Sequence, residues 1–328
     1  MNLKNKTILI TGGTGTFGQV MVKSLLKIRG IKKIIIYSRD EFKQQQMRKK
    51  IDSKILRYFI GDIRDKSRLT IATIGVDLII HAAALKHVDV AEYNPTEFVE
   101  TNIFGAKNLI EVCSQNKIKK VVALSTDKAS SPINLYGATK LCSDKLFIAA
   151  NNYIVGTIFS VVRYGNVEGS RGSVIPFFKS LANTNIFPVT SKEMTRFSLS
   201  ADEAIKMVFW VIKHSIGQEV VVPKTASYRI LDLVNAFSRK PKIKIIGIRP
   251  GEKLHEQMIS AEDSRYTYEY KNYYKILPAI FNIYKNKKYI KDGKKVGLNF
   301  EYSSNTNTKW LTKSDLRKWL KKYSDNIL

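Results

Sequence analysis

Short apolar runs alternate with stretches of helical periodicity through the first two-thirds of the chain. Such runs are typical of strands that are buried on both faces of a parallel sheet. They begin at Ile8, Ile34, Leu56, Leu78 and Val121, and another spans Ser160–Val162. Because helical segments separate them, the pattern predicts a doubly wound α/β fold, in which a right-handed parallel sheet carries helices on both faces.

The alternation fades after Arg163, where segments bearing glycine and arginine replace it, and residues 219–222 form a candidate strand that returns to the sheet. We therefore expect a Rossmann domain and a smaller C-terminal substrate-binding cap. The first comprises residues 1–165 and 199–224, and the second comprises residues 166–198 and 225–328. The cap should close a cleft at the carboxyl ends of the strands, where ligands of this fold bind.

A glycine-rich turn, Thr11–Gly18, directly follows the first apolar run and precedes the helical pattern of Val20–Leu26. Gly12 permits the tight turn, Gly15 lets backbone amides approach a pyrophosphate, and Gly18 lets helix and strand pack closely. The helix N-terminus then faces the phosphates. This order of strand, turn and helix predicts dinucleotide binding, and the alternative is a glycine turn with a purely structural role.

The second strand ends in Ser38 and Arg39 rather than in the carboxylate that would accept the ribose hydroxyls of NAD. Arg39 offers a guanidinium fork to a 2′-phosphate, and Lys43 adds a further positive charge, so the sequence favours NADP over NAD. Asp40 and Glu41 weigh in the other direction, since either carboxylate could point inward.

Two further strand ends contribute to the same region. Asp62 and Ile63 follow the third strand and are placed to meet the adenine edge, although an isolated aspartate there is more often a helix cap. Ala82–Ala84 follow the fourth strand and leave room for the backbone to approach a cofactor.

A tyrosine and a lysine, Tyr136 and Lys140, stand four residues apart after the fifth strand. Pro132 forces the preceding chain out of helical geometry, and Asn134 can cap a helix that begins at Leu135. The two side chains then share a helix face, where the lysine cation would lower the pKa of the phenol toward neutrality. Such a phenolate can take a proton from a sugar hydroxyl while hydride leaves the same carbon. An isolated pair of this kind is more often a surface feature.

The amino-acid composition indicates less about function than the motifs do. The chain has 328 residues and 44% hydrophobic content, which is enough to bury a large core. The formal net charge of +27 would suit a nucleic acid, but the basic residues are scattered and no nucleic-acid motif accompanies them. We interpret the charge as a compositional bias that also suits a nucleotide substrate, and we expect no specific nucleic-acid partner.

Cys113 and Cys142 lack metal-ligand or redox spacing and fall in apolar segments, which predicts reduced, buried thiols and no metal site. The sequence shows no signal core at its start and no apolar run approaching the roughly 18 residues of a membrane span. It therefore predicts a cytoplasmic protein that is not attached to a membrane.

Longer motifs accompany the glycine turn and the tyrosine–lysine pair over nearly the entire chain. They are Tyr37–Glu41, His81–His87, Glu92–Pro95, Leu124–Lys140, Arg163–Asn166, Gly169–Ser173, Met194–Phe197, Arg249–Glu256 and Glu301–Ser304. The turn and the pair resemble the extended short-chain dehydrogenase/reductase family. The longer motifs resemble its UDP-N-acetylglucosamine 4,6-dehydratases, in particular the inverting branch that opens pseudaminic acid biosynthesis.

The resemblance implies a reaction on UDP-N-acetylglucosamine with NADP as cofactor. Tyr136 would deprotonate the C4 hydroxyl as hydride leaves C4, Lys128 would remove the C5 proton, and Asp127 would protonate the departing C6 oxygen. Retaining dehydratases of neutral hexoses carry glutamate where this chain has Lys128. Hydride return to C6 and protonation of C5 from the opposite face would invert C5. A lysine base must be neutral when it acts, and the sequence leaves the direction of its pKa shift open.

Binding residues are also implied by the resemblance. The cofactor-binding positions are Gly12, Thr14, Gly15, Thr16, Phe17, Gly18, Ser38, Arg39, Lys43, Asp62, Ile63, Ala82, Lys86, Leu124, Ser125, Tyr136 and Lys140. The substrate-binding positions are Lys86, Thr126, Asn166, Val174, Thr190, Arg196, Arg249 and Glu252. Arginine suits a diphosphate, while the alternative for these charged residues is surface charge or ion pairing between cap and core.

Two positions depart from the family pattern. Glu168 replaces a usual valine beside the expected cofactor site, and Ser198 stands where a tryptophan is common. We expect both departures to affect affinity and substrate choice more than chemistry.

Rival functions use the same fold. A retaining dehydratase of this branch typically carries methionine in place of Tyr136, and a nucleotide-sugar 4-epimerase would not need Asp127 and Lys128. A rival outside the enzymes is an NADP-sensing nucleic-acid-binding protein, against which the retention of Tyr136 and Lys140 speaks. The resemblance further implies a homo-oligomer, either a dimer or a hexamer.

Overall fold

The computed structural model describes residues 1–167, 173–238, 240–280 and 286–324. The expected departure at Glu168 and the motif residues 169–172 lie outside the described residues.

Seventeen strands are described. They are β1 Thr7–Thr11, β2 Lys33–Ser38, β3 Leu56–Ile60, β4 Leu78–His81, β5 Lys120–Thr126, β6 Ile158–Tyr164, β7 Asn166–Val167, β8 Ile186–Val189, β9 Thr195–Leu199, β10 Val220–Pro223, β11 Ala226–Arg229, β12 Lys242–Ile245, β13 Gln257–Ile259, β14 Thr267–Glu269, β15 Tyr273–Ile276, β16 Lys294–Lys295 and β17 Tyr302–Ser303.

The α-helices within the described residues are α1 Thr16–Leu26, α2 Glu41–Lys50, α3 Lys66–Ala72, α4 Val88–Tyr93, α5 Pro95–Phe98, α6 Gly105–Gln115, α7 Leu135–Ala150, α8 Val174–Ser180, α9 Ala201–His214, α10 Ile230–Phe237, α11 Lys287–Ile290 and α12 Lys313–Ser324. A π-helix spans Val99–Phe104, and single turns of tighter helix span Asp127–Ala129 and Asp263–Tyr266.

The central sheet has the strand order β16-β14-β15-β10-β6-β5-β4-β1-β2-β3. The seven strands from β10 to β3 in this order pair in parallel, as predicted for a doubly wound fold. The candidate strand at 219–222 corresponds to β10, which pairs with β6. Successive side chains of each strand point to opposite faces, so the sheet separates two apolar layers.

Each layer covers one face of the sheet. Leu9, in the middle of β1, packs in a cluster with α3, α6 and α7, whereas its neighbours Ile8 and Ile10 pack in a cluster with α1, α2 and α9. The continuous apolar runs of the sequence are therefore strands with both faces buried. This packing holds the carboxyl ends of the parallel strands in a fixed row, at the edge where ligands of the fold bind.

Residues after the parallel strands extend the sheet and build smaller ones. Strands β14, β15 and β16 join the central sheet in antiparallel orientation. Separate small sheets pair β9 with β7 and β11, β12 with β8, and β13 with β17. A third apolar cluster joins β8 and β11 to helices α8, α10 and α12, and it includes Phe187, Leu233 and Leu316. The division into two domains at the residues given above stays a prediction.

The glycine turn has the geometry that its sequence predicts. Gly12 has a φ of 66°, a conformation that favours glycine. A Cβ atom at Gly12 would lie 2.9 Å from the backbone of Ala82, and one at Gly18 would lie 2.5 Å from the carbonyl oxygen of Gly13. Gly15 is the N-terminal cap residue of α1. The turn therefore brings the start of α1 close to the ends of β1 and β4.

One prediction about the cysteines is wrong. Cys113 is buried, as expected, but Cys142 is exposed. Both fall in apolar segments of helices, but Cys142 lies on an exposed face of α7, a distinction that local hydrophobicity does not make. Among the described residues, no helix combines the length and the apolar character that are needed to span a membrane.

We predict that Gly18→Ala lowers the free energy of unfolding by about 1–3 kcal/mol, because the new methyl group overlaps the Gly13 backbone. Urea unfolding measures this change. Gly297→Ala is the matched control, since no atom lies within 4 Å of the added Cβ there. Equal stability of the two variants would contradict the close packing of α1 on the turn.

Candidate active site

Two cavities open at the carboxyl edge of the parallel strands. The first has a volume of about 310 Å³ and lies beside the glycine turn. The second has a volume of about 770 Å³ and lies between β5, β6 and the small sheets.

Many predicted cofactor residues line the first cavity. They are Gly12, Thr14, Gly15, Ser38, Arg39, Lys43, Asp62, Ile63 and Ala82. The start of α1, an 11-residue helix, lies at the cavity and brings free backbone N–H groups, which suit a pyrophosphate. Any side chain at Gly12 would overlap the backbone of Ala82. These residues therefore fit a bound dinucleotide.

The charges around the ribose end of this cavity are paired in a definite way. The Asp40 carboxylate caps α2 by accepting the Lys43 backbone N–H, and it also pairs with the Lys43 side chain. Asp62 is not a helix cap; its carboxylate accepts hydrogen bonds from Arg64 at 2.7 and 3.0 Å. Arg39 is half-exposed and lies 3.5 Å from the same carboxylate. Within the described part of the chain, the Arg39 guanidinium is thus held at the cavity by one long ion pair.

The other predicted cofactor residues lie around the first cavity rather than in its lining. Thr16, Phe17 and Gly18 form the first turn of α1. Leu124 and Ser125 end β5, and the Ser125 hydroxyl donates to Asp144 of α7 at 2.6 Å. Lys140 is buried, and burial lowers its pKa against the opposing charge of Asp144. Lys86, in the loop after β4, has its pKa lowered by burial and then by the charge of Lys128.

Most predicted substrate residues line the second cavity. They are Asn166, Val174, Thr190, Arg196, Arg249 and Glu252, joined there by Ser198 and Lys128. Lys86 and Thr126 are not part of this lining. Ser198 lies in β9 and is buried.

Three of the substrate residues form one hydrogen-bonded group. The Thr190 hydroxyl donates to Glu252 at 3.1 Å, and the Arg196 guanidinium lies 3.3 Å from the same carboxylate. Arg196 also donates to the backbone carbonyls of Thr195 and Leu254, at 2.7 and 3.1 Å. The ion pair joins two residues of the predicted cap rather than cap and core, and it fixes the Arg196 guanidinium at the cavity.

The candidate catalytic residues lie where β5 ends. Thr126 accepts the backbone N–H of Lys128, and its hydroxyl donates to Asp127 at 3.1 Å. The Lys128 ammonium group lies 3.0 Å from the Asp127 carboxylate. Helix α7 docks directly on this turn, because a Cβ atom at Gly137 would lie 2.1 Å from the Lys128 carbonyl oxygen. The glycine in the motif therefore lets Tyr136 approach the acid–base pair.

Helix α7 begins as the sequence predicts. Asn134 accepts the Gly137 backbone N–H at 2.8 Å, and the helix starts at Leu135. The Asn134 amide also donates to the carbonyl oxygen of Gly251 at 2.8 Å. One side chain thus caps the helix that carries Tyr136 and fastens the loop that carries the substrate residue Glu252.

The structure determines the direction of the lysine shift that the sequence left open. Burial would lower the pKa of Lys128, but the negative charges of Asp127 and Glu256 outweigh it and raise the pKa above its ordinary value. Burial and the charge of Glu256 raise the pKa of Asp127, against the opposing charge of Lys128. The resting lysine is therefore an ammonium group, and the raised pKa of Asp127 means that its carboxylate accepts a proton more readily than an ordinary aspartate.

The prediction that the pKa of Tyr136 is lowered toward neutrality is wrong. Burial raises its pKa to about 12, and the charge of Lys128 and the Thr126 hydroxyl oppose this shift. Lys140 was expected to lower this pKa toward neutrality, but desolvation of the buried phenol outweighs the positive charges nearby. The positive charge that most lowers the pKa of Tyr136 is that of Lys128, not that of Lys140.

Sequence reasoning missed two residues. Glu256 is 2% exposed, lies 3.0 Å from the Lys128 ammonium group and lines the second cavity. It ends the motif Arg249–Glu256, which was the only available signal. Asn102, in the π-helix, bonds both backbone groups of Leu85 at 2.9 and 3.0 Å and donates to Thr139 of α7 at 3.0 Å. It fastens the loop of Lys86 to the catalytic helix, and no local pattern indicates this.

Comparisons with known proteins agree with this site. Residues 8–278 match a family described as polysaccharide biosynthesis protein. The chain is 52% identical to the inverting UDP-N-acetylglucosamine 4,6-dehydratase of Campylobacter jejuni, over 95% of this chain and 96% of that protein. It is 39% identical to a UDP-glucose 4-epimerase of Rickettsia bellii, over 96% of this chain and 95% of that protein. The X-ray structure of Pen from Bacillus thuringiensis matches with a TM-score of 0.90 and 34% identity, over 99% of both chains.

Proposed function

The chain belongs to the polysaccharide biosynthesis protein family of extended short-chain dehydrogenases/reductases, and we propose that it is an inverting UDP-N-acetylglucosamine 4,6-dehydratase. The product is UDP-2-acetamido-2,6-dideoxy-β-L-arabino-hexos-4-ulose. One observation carries the proposal. The Asp127–Lys128 pair, 3.0 Å apart, and Tyr136 meet at the end of β5, beside a cavity of about 770 Å³ that can hold a nucleotide sugar.

Each of the first three proton transfers involves one side chain of this protein. A bound nicotinamide dinucleotide would supply the hydride acceptor at C4 and the hydride donor at C6. Tyr136 takes the proton of the C4 hydroxyl in its phenolate form, although burial raises its pKa and makes that form costly. The resulting ketone at C4 makes the C5 proton acidic, and Lys128 takes that proton. Asp127 gives its own proton to the C6 oxygen, which leaves as water. Once C6 is reduced, C5 takes a proton from the opposite face, and this step inverts C5.

The short contact between Lys128 and Asp127 explains how a protonated lysine can act as a base. Transfer of one proton across the 3.0 Å hydrogen bond turns ammonium and carboxylate into a neutral amine and a carboxylic acid. These are the two forms that the elimination needs. Burial raises the pKa of Asp127 and favours that transfer, because it disfavours the charged forms, whereas the raised pKa of Lys128 opposes it.

The cofactor is a nicotinamide dinucleotide, and we propose NADP. Arg39 supports this choice because it stands at the first cavity. Asp40 also lines this cavity, but its carboxylate caps α2 and pairs with the Lys43 side chain. Glu41 is exposed and is not part of the cavity lining. We further propose a place in pseudaminic acid-type sugar biosynthesis, a cytoplasmic location, assembly as a dimer or hexamer, and the two-domain division given above.

The second candidate function is a nucleotide-sugar 4-epimerase, which the name of the Rickettsia bellii relative favours. An epimerase removes and restores hydride at C4 and needs no group that acts at C5 or C6. Asp127 and Lys128 would then have no chemical task. Burying charged groups costs desolvation free energy. The presence of both residues therefore supports the dehydratase, in which each has a chemical role.

We predict that the purified protein with cofactor converts UDP-N-acetylglucosamine to a product whose proton NMR ring couplings report the L-arabino configuration. Lys128→Ala should lower the turnover number by roughly 10²-fold or more, because it removes an acid–base group. Lys145→Ala, which removes an exposed lysine from α7, is the control and should keep full activity. A D-xylo product early in the time course would contradict inversion, and a C4 epimer would establish the second candidate.

We also predict that Arg39→Ala weakens NADP binding by roughly 10- to 100-fold, since hydrogen bonds to charged groups contribute about 1.5–3 kcal/mol. NAD, which lacks the 2′-phosphate, should lose much less affinity. Calorimetric titration with each cofactor measures both constants. Arg57→Ala, an exposed arginine of β3, is the control. Equal losses for NADP and NAD would mean that Arg39 does not contact the 2′-phosphate.

A further inference from the structure

A second carboxylate, Glu256, reaches the Asp127–Lys128 pair from another part of the chain. Its Oε1 atom lies 3.0 Å from the Lys128 ammonium nitrogen and 3.7 Å from the Arg196 guanidinium. Its Oε2 atom is buried and has no hydrogen-bond partner among the described residues. The side chain is 2% exposed and lines the substrate cavity. Burial of a carboxylate costs free energy unless the group is paired and hydrogen-bonded.

The backbone of Glu256 is fixed by hydrogen bonds to Ser303, the last residue of β17, and to Ser304. Its N–H group donates to the Ser304 hydroxyl at 3.0 Å, and its carbonyl oxygen accepts the Ser304 N–H at 2.8 Å and the Ser303 hydroxyl at 3.2 Å. Strand β13, which begins at the next residue, pairs with β17. The carboxylate is therefore held on a rigid support and does not depend on a mobile loop.

Charges face Lys128 from several elements. The anions are Asp127, on the same turn, and Glu256, before β13. Three cations also interact with Lys128: Arg196 from β9, Lys253 from the loop before β13, and Lys86 from the loop after β4. The phenol of Tyr136, from α7, interacts with it as well. The two carboxylates therefore balance a lysine that otherwise lies among cations.

We propose that Glu256 is a positioning residue for the elimination, which holds Lys128 beside Asp127 and stabilises the ammonium group that forms when Lys128 takes the C5 proton. This inference rests on the proposed function. In the step itself, the C5–H bond breaks, its electrons form the new double bond to C6, and the C6–O bond breaks. The proton from C5 goes to Lys128, and the proton from Asp127 leaves with the C6 oxygen as water. Glu256 exchanges no proton.

The ionisation of the three groups agrees with this role. Burial would raise the pKa of Glu256, but the charges of Lys128 and Arg196 outweigh it and lower the pKa, so Glu256 stays ionised. A permanent negative charge there raises the pKa of both Asp127 and Lys128. Lys128 is thereby a stronger base for a carbon acid, and Asp127 keeps its proton to higher pH.

The test compares Glu256→Gln and Glu256→Asp in the protein with bound cofactor. Activity should follow a bell-shaped pH profile, because the pair is inactive when both groups are protonated and when both are deprotonated. Removing the charge in Glu256→Gln lowers both pKa values, so both limbs of the kcat profile should move to lower pH by about one unit or more. The maximum kcat should fall by roughly 10-fold or more, with little change in KM.

Glu256→Asp keeps the charge at a longer distance and should bring the limbs most of the way back toward their wild-type positions. Glu269→Gln is the matched control, since this carboxylate of β14 pairs with Lys224 at 2.7 Å and is not part of either cavity lining. Its pH profile should equal that of the wild type. A fall in kcat without a shift of the limbs would overturn the proposal, because it would indicate a structural role alone.

A second measurement does not depend on turnover. NMR of protein labelled at the lysine side chains, with the Lys128 signal assigned from Lys128→Arg, should show titration of Lys128 at lower pH in Glu256→Gln than in wild type. An unchanged titration would overturn the proposal. If the wild-type protein forms no product from UDP-N-acetylglucosamine, the proposed function fails, and this titration still tests the link between Glu256 and Lys128. If Glu256→Gln does not fold, the smaller shift expected in Glu256→Asp provides the same test.

Discussion

The buried contact between Asp127 and Lys128 is the interaction on which the site depends. Two opposite charges 3.0 Å apart offset the cost of leaving water, and a proton moved between them yields the acid and the base of an elimination. Both residues stand on one turn at the end of β5, and Glu256 holds the Lys128 ammonium group from the other side. The surrounding residues then decide how strongly each group holds its proton.

The fold places that turn by packing alone. The parallel strands are buried on both faces, which aligns their carboxyl ends in one row with the glycine turn after β1 at one side and the pair after β5 at the other. Small residues allow the close approaches: Gly12 against Ala82, and Gly137 against the Lys128 carbonyl group. Binding residues on loops are fastened to the same frame by amide side chains, of which Asn134 and Asn102 are the clearest. Cofactor and sugar can therefore meet at a preorganised edge of the sheet.

Local patterns predicted what depends on local physics. Apolar runs indicated the parallel strands, the glycine spacing indicated the turn, and Asn134 indicated where α7 begins. Properties that depend on tertiary burial were beyond reach: desolvation raises the pKa of Tyr136 to about 12 whatever its neighbour at Lys140, and the same packing leaves Cys142 exposed. The role of Glu256 could not be inferred either, because its approach to Lys128 depends on the pairing of β13 with β17, two short strands without a clear period. The strands β14 and β16 that extend the sheet are equally short.

The central claim is that one site oxidises the sugar at C4, eliminates water across C5 and C6, and reduces C6 with the same hydrogen. The most direct measurement uses UDP-N-acetylglucosamine that carries deuterium at C4, with the protein and its bound cofactor in ordinary water. The account predicts that NMR and mass spectrometry find this deuterium in the C6 methyl group of the product. Deuterium that remains at C4, as an epimerase would leave it, or that is lost to solvent, would contradict the account.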